Sequence, residues 1–274
     1  MREALTRWCL DLQAHTGLSS IVLGGRRAWQ ETAVESKASD VDLYAFCGDG
    51  LYARMPRLAD TLRGAGVRRV VRERSAFLEL HYVLTDLPEI DLKVMRWSTV
   101  DAVLAAPPNL DELYLEKMHS LHHYRVIIDD SGDGLRRIDR AARRRPADLA
   151  ALLPYAFESY VKHAWGVAKQ GLRRGEPLVG SHLARRALDH LVLVEYLLND
   201  TYPPPFKWRM HDAALAGLRR GDLIRSVATT LEFTPGLSLA DHADGLRALE
   251  AEILADPGAA GIPGRSPDAW WWAP

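Results

Sequence analysis

The hydrophobic periodicity of this chain changes once, near residue 110, and that change limits the folds open to it. Before it, short apolar runs with the two-residue period of strands alternate with stretches of helical period. After it, apart from a short RVIID segment at 125–129, only the helical period remains. Strands and helices followed by helices alone predict an α+β domain, a mixed sheet with flanking helices, joined to a C-terminal α-helical bundle. The 274 residues are enough for two modest domains. Charge is dense in RRIDRAARRRPADL, and Pro146 breaks the pattern there, so the expected division is 1–140 and 141–274.

Within the front half, residues 3–15 read as an amphipathic helix with Leu5, Trp8, Cys9 and Leu12 on one stripe. SSIVL follows as a buried strand ending at Gly24-Gly25, and RRAWQETAVESKAS is a polar connection. VDLYAFC alternates strictly and reads as a second strand; 55–65 is helical; VRRVV, AFLELHYVL and EIDLKVMRW are three further strands. Helices are expected over 111–123, 134–142, 147–170, 181–199, 209–218, 221–232 and 240–255. The Gly/Pro-rich tail is irregular, and its tryptophans 270–272 are expected to dock on their own domain.

The residues that carry chemistry lie in LGGRRAWQETAVESKASDVDLYAF. Asp40 and Asp42 stand one residue apart at the start of a strand, so they share a face while Val41, Leu43 and Ala45 point into the core. Two like charges ~4 Å apart repel by ~4 kcal/mol at an effective dielectric near 20. A fold keeps such a pair when a cation neutralises it, and magnesium, a hard ion that takes oxygen ligands, suits carboxylates and phosphates together. A third carboxylate comes from EIDLKVMRW, where Ile90, Leu92 and Val94 form the apolar face and Asp91, Lys93 and Met95 the opposite one. Acids are disfavoured inside strands, so Asp91 calls for a reason. Three convergent carboxylates are the donor set of a two-metal site. Lys93 on the same face is able to neutralise charge there, or to make a plain salt bridge.

A buried strand, a Gly-Gly turn, a polar connection, SDVDL, and an acid on a later strand resemble the polymerase-beta-type nucleotidyltransferase superfamily. Within it the chain is most similar to small-molecule adenylyltransferases of the aminoglycoside and lincosamide type. The resemblance covers residues 19–97 and extends more loosely over the helical half. It implies that Asp40, Asp42 and Asp91 hold two Mg2+ ions and are the catalytic residues. It also implies that the Gly24-Gly25 turn brings backbone N–H groups to the triphosphate of ATP or another nucleoside triphosphate, glycine allowing the close approach. Lys207, in YPPPFKWRMHD, would reach the nucleotide phosphates from the helical domain, on a loop stiffened by prolines. Arg26 and Arg27 follow the glycine turn and are candidate phosphate contacts or solvated loop residues. Two features depart from the family pattern: Gly25 stands where serine is common, and the connection to Asp40 is longer than usual.

The expected activity is transfer of AMP, or another nucleoside monophosphate, to a hydroxyl of a small molecule bound between the domains, such as an antibiotic or biosynthetic intermediate. Two alternatives stay open: an AMP-transferring regulator of a protein or tRNA, and a nucleotide-binding module without turnover. Glu79, Glu112 and Glu116 are candidates for a general base, with nothing in the sequence to choose among them. Trp208 reads as a packing residue. His119, His122 and His123 lack the pattern of zinc motifs and read as a helix surface. Arg185 and His190 match the Arg-to-His spacing of HEPN-domain ribonucleases, a spacing any Arg-rich helix offers, so the ordinary helical reading is adopted. A formal net charge of -1 gives no electrostatic reason to expect a dedicated nucleic-acid binder. Cys9 and Cys47 read as buried thiols rather than a disulfide or metal pair. The N-terminus lacks the apolar run of a signal peptide and no segment reaches the ~20 apolar residues of a membrane span, so the protein is expected to be cytoplasmic.

Overall fold

A computed structural model of the chain describes residues 2–25, 28, 41–58, 66–74, 79–85, 90–144, 146–233, 238–262 and 270–272. The chain forms two compact units, one of Met1–Pro107 and Lys117–Arg144, the other of Pro108–Glu116 and Arg145–Pro274.

Among the described residues the first unit has six strands: β1 (Ser20–Leu23), β2 (Val41–Cys47), β3 (Val67–Arg74), β4 (Glu79–Thr85), β5 (Ile90–Arg96) and β6 (Arg125–Asp129). They lie in the order β3-β4-β5-β2-β1-β6. β2 and β5 run parallel, and the four other neighbouring pairs are antiparallel. The sheet is therefore mixed, and RVIID closes its edge as β6.

Alternation along the parallel pair decides what each face does. Val41, Leu43, Ala45 and Cys47 of β2 join Leu92 and Val94 of β5 in the core. Cys9 and Leu12 of helix α1 (Arg2–Thr16) and Tyr52 and Met55 of helix α2 (Asp49–Leu58) pack against them. Both cysteines are buried and free. Burial pushes each thiol up to about 12, with the charge of Asp49 adding to the effect at Cys47.

The other face carries Asp42, Tyr44 and Phe46 of β2 beside Asp91, Lys93 and Met95 of β5. Phe46 stacks on Trp97, which opens helix α3 (Trp97–Ala105), with ring centroids 4.8 Å apart. Tyr124 follows helix α4 (Glu112–His123) and brings its ring to 5.0 Å from Tyr44 and 6.0 Å from Phe46. Aromatic packing thus covers the far end of this face and leaves the Asp42–Asp91 end polar. α4 is capped by Asp111, whose carboxylate accepts from the N–H groups of Leu113 and Tyr114. Helix α5 (Asp133–Arg143) completes the unit, with Asp129 accepting from Gly134 and Leu135 at its start.

The second unit is helical: α6 (Leu153–Gly166), α7 (Pro177–Leu198), α8 (Asp212–Leu215), α9 (Gly221–Phe233) and α10 (Leu239–Leu254). The single helix expected over 147–170 divides into a 3-10 turn (Pro146–Leu152), α6, and a π turn (Val167–Arg173). Pro154 lacks the N–H that would continue the preceding turn, and a proline is favourable at a helix start. Pro177 opens α7 for the same reason, four residues before the expected start. The helix expected over 209–218 shrinks to α8. The N–H groups of Arg219 and Arg220 are drawn to the side chains of Asn199 and Glu195, at 3.1 and 3.0 Å, rather than to helical carbonyls.

Glu195 is fully buried on α7 and accepts from Arg220 Nη1 at 2.8 Å and from Asn199 at 2.7 Å. The same Arg220 donates to buried Asp256 at 2.8 Å, joining α7, the start of α9 and the end of α10. Trp271 and Trp272 of the tail dock on their own unit, as expected of them. Trp271 and Trp272 are buried, and Trp272 Nε1 and the Tyr160 hydroxyl both donate to Glu250, at 2.8 and 2.7 Å. Among the described residues no helix is long and apolar enough to cross a membrane.

Removing the cation from this network leaves Glu195 charged and buried, which typically costs 3–5 kcal/mol. Arg220→Ala is therefore expected to lower the unfolding free energy by about that much, read as a lower urea midpoint at unchanged slope. The two thiols are expected to react with an aromatic disulfide at pH 8 only as fast as the chain unfolds, because they stay protonated and shielded.

Candidate active site

Asp42 and Asp91 are register partners on β2 and β5. Neighbouring strands lie ~4.8 Å apart, and at that spacing two carboxylates repel by roughly 3–4 kcal/mol at an effective dielectric near 20. Lys93 answers this repulsion. Its Nζ lies 3.0 Å from Asp42 Oδ1 and 3.0 Å from Asp91 Oδ2. It also sits 5.0 Å from the ring centroid of Tyr44 and 5.8 Å from that of Tyr82, the register partner of Lys93 on β4. Burial alone would lower the ammonium pKa; Tyr44, Asp42 and Asp91 around it reverse this and hold it above the ordinary lysine range. Lys93 is therefore a permanent cation.

The glycine turn lies directly on this group. Gly24 N–H donates to the Asp42 carbonyl at 2.9 Å, continuing the β1–β2 ladder. Any phosphate contact from the turn therefore falls to Gly25 and the residues after it, not to Gly24. A β-carbon on Gly24 would stand 2.6 Å from the Tyr44 ring and 2.9 Å from that of Tyr124. Gly25 has φ +59°, and a β-carbon there would stand 1.9 Å from Asp42 Oδ2. Glycine at 25 is thus fitted to the position Asp42 takes here.

Several sequence candidates fall elsewhere. Asp40, Arg26 and Arg27 lie outside the described residues, as does the side chain of Glu79. Glu112 is held by Arg209 at 2.5 Å in the helical unit, where Glu116 is half-buried on α4. Lys207 is exposed on a 3-10 turn (Phe206–Trp208) of the helical unit, its Nζ 5.3 Å from the Trp208 ring. The Trp208 ring in turn meets His211 edge-on at 5.7 Å.

The histidines of α4 are not the surface group expected from their spacing. His119 is buried and its ring lies 4.4 Å from that of His123, whose pKa burial and His122 bring down to about 4. Arg185 lines a surface recess with Ser181, His182, Leu231 and His242, whereas His190 stacks on His163 at 4.8 Å.

Two further residues on this face, Tyr44 beside the carboxylates and Lys117 beside Tyr44, were missed in the sequence. Tyr44 was legible, being two residues beyond Asp42 and so on its face. Lys117 was not. It comes from α4, is buried, and places Nζ 5.6 Å from the Tyr44 centroid, a position that only the tertiary fold creates.

Among the described residues there is no cluster of three or more His, Cys, Asp or Glu able to hold a metal ion. The two acids present nevertheless fit a hard divalent cation. Both offer carboxylate oxygens from rigid strands on one face, and Asp42 Oδ2 is turned toward a turn stripped of side chains. The donor chemistry is that of magnesium with phosphate, not of zinc.

No family model and no curated protein matches the chain. Eleven chains of solved structures do. One is a nucleotidyltransferase-like protein from Exiguobacterium sibiricum 255-15, with a TM-score of 0.42 and 13% identity, covering 92% of this chain and 74% of that one. A likeness this distant assigns no activity.

Gly25→Ala tests the geometry of the turn. The left-handed backbone alone costs alanine about 1–2 kcal/mol, and the overlap with Asp42 adds to it. The variant is expected to lose at least that much stability in a denaturant titration; a loss below about 0.5 kcal/mol would mean that Asp42 does not lie against the turn.

Proposed function

We propose that the sheet unit is a magnesium-dependent nucleotidyltransferase that moves AMP, or another nucleoside monophosphate, from a nucleoside triphosphate to a hydroxyl of a small molecule. The observation that carries this reading is the pair Asp42 and Asp91, side by side on parallel strands against a glycine turn. A structural salt bridge would ask for neither the second acid nor the bare turn.

In this reading Asp42, Asp91 and Asp40 hold the divalent cations. When bound, those ions neutralise charge on the triphosphate and on the leaving pyrophosphate. The remaining work belongs to the chain. β2 and β5 fix the two carboxylates so that no reorganisation is needed when substrate arrives. Gly25 offers backbone without a side chain beside Asp42, where a phosphate can approach its N–H. Lys93 pairs with both carboxylates and adds positive potential beside the phosphates. The acceptor would be a hydroxylated antibiotic, such as an aminoglycoside or lincosamide, or a biosynthetic intermediate, and the protein would work in the cytoplasm.

A second reading is favoured by one observation. Lys93 already offsets one of the two charges of the acid pair, as a nucleotide-binding module without turnover would require.

The test is incubation with ATP, Mg2+ and a panel of hydroxylated antibiotics and nucleosides, following pyrophosphate. Release is expected with at least one acceptor. Asp42→Asn should reduce it by roughly 10³-fold, about 4 kcal/mol of transition-state stabilisation. ATP uptake in calorimetry with no pyrophosphate across the panel would favour the binding module. No ATP uptake at all would overturn both readings.

A further inference from the structure

Lys93 is placed unlike an ordinary surface ion pair. Its side chain is 14% exposed, and four groups from three strands converge on Nζ: Asp42 and Tyr44 of β2, Asp91 of β5 and Tyr82 of β4. Lys93 is itself two residues beyond Asp91 on β5, so its stem rises from the same face and cannot leave without the strand. Each carboxylate gives it one oxygen, Oδ1 of Asp42 and Oδ2 of Asp91. The other oxygen of Asp42 turns to Gly25.

From this arrangement, and resting on the metal reading of Asp42 and Asp91, we infer that Lys93 is a built-in cation occupying one of the two metal positions, so that the free protein binds a single divalent ion. The charges agree with one ion. Among the described residues Asp42 and Asp91 bring two negative charges and Lys93 returns one positive, so one divalent cation already offsets the charge that is left and a second would add two positive charges with nothing to balance them. A second ion would have to take the oxygens that Nζ holds, against the repulsion of a fixed ammonium in direct contact with them. The consequence for the reaction is a positive charge beside the phosphates that does not depend on metal concentration.

The measurement is Mn2+ binding to the full-length protein, without nucleotide, followed by the paramagnetic signal of the free ion. The wild type is expected to take up one Mn2+ per chain. Lys93→Met, which keeps the stem and removes the charge, should admit a second ion or bind the first at least tenfold tighter. Lys93→Arg, which keeps the charge, should match the wild type. If Lys93→Met does not fold, Lys93→Gln replaces it, keeping a donor between the carboxylates, and the same rise is required. Two ions of comparable affinity in the wild type, or no change in Lys93→Met and Lys93→Gln, would overturn the inference while leaving the metal site standing. Absence of Mn2+ binding in the wild type and in both variants would remove the metal reading together with the inference.

Discussion

Two carboxylates stand beside one another on adjacent parallel strands, and one ammonium group holds them there. Everything functional in the sheet unit follows from how that repulsion is met. β2 and β5 are locked in register over seven residues, Val41 to Cys47 against Ile90 to Arg96, so the acids have no backbone freedom to move apart. Their apolar neighbours, Leu43, Leu92 and Val94, are fully buried on the opposite face. A slip of one residue would turn the acids inward and the leucines out, at the expense of the whole core. The core thus enforces a charged arrangement that is unfavourable in isolation, and Lys93 makes it tolerable.

Much of this was legible in the sequence because strands write their faces in every second residue. Alternation in VDLYAFC and EIDLKVMRW is enough to place Asp42, Asp91 and Lys93 on one face, and the two glycines announce a backbone that something approaches closely. The sequence did not say what approaches Gly25. A triphosphate was the expectation; the nearest group is the Asp42 carboxylate, with the N–H of Gly24 already committed to the sheet. Nor did it reveal Lys117, because a lysine on an amphipathic helix looks the same whether it meets solvent or the face of a Tyr44 ring. His119 was misread for the related reason that a polar residue's burial depends on what packs over the helix.

The helical unit shows the same limit at its boundaries. Helices formed wherever the period was sustained, yet their ends moved where side chains compete for backbone groups. Glu195 and Asn199 capture the N–H groups of Arg219 and Arg220 and shorten the expected 209–218 helix to one turn. Proline at 154 and at 177 resets helix starts. The tryptophans of the tail dock where a buried carboxylate, Glu250, waits for donors, a pairing between residues 22 positions apart for Trp272 and 90 for Tyr160. Such long-range polar pairs leave no mark in local periodicity.

Convergence of Asp42 and Asp91 on a divalent cation is the claim from which the rest follows. Diffraction from crystals grown with Mn2+ and a non-hydrolysable ATP analogue tests it most directly, because anomalous scattering locates the ion independently of the protein. The expected result is an anomalous peak within about 2.0–2.6 Å of a carboxylate oxygen of each acid, with the phosphates beside Gly25. A peak elsewhere, or phosphates bound with no ion near either carboxylate, would contradict it.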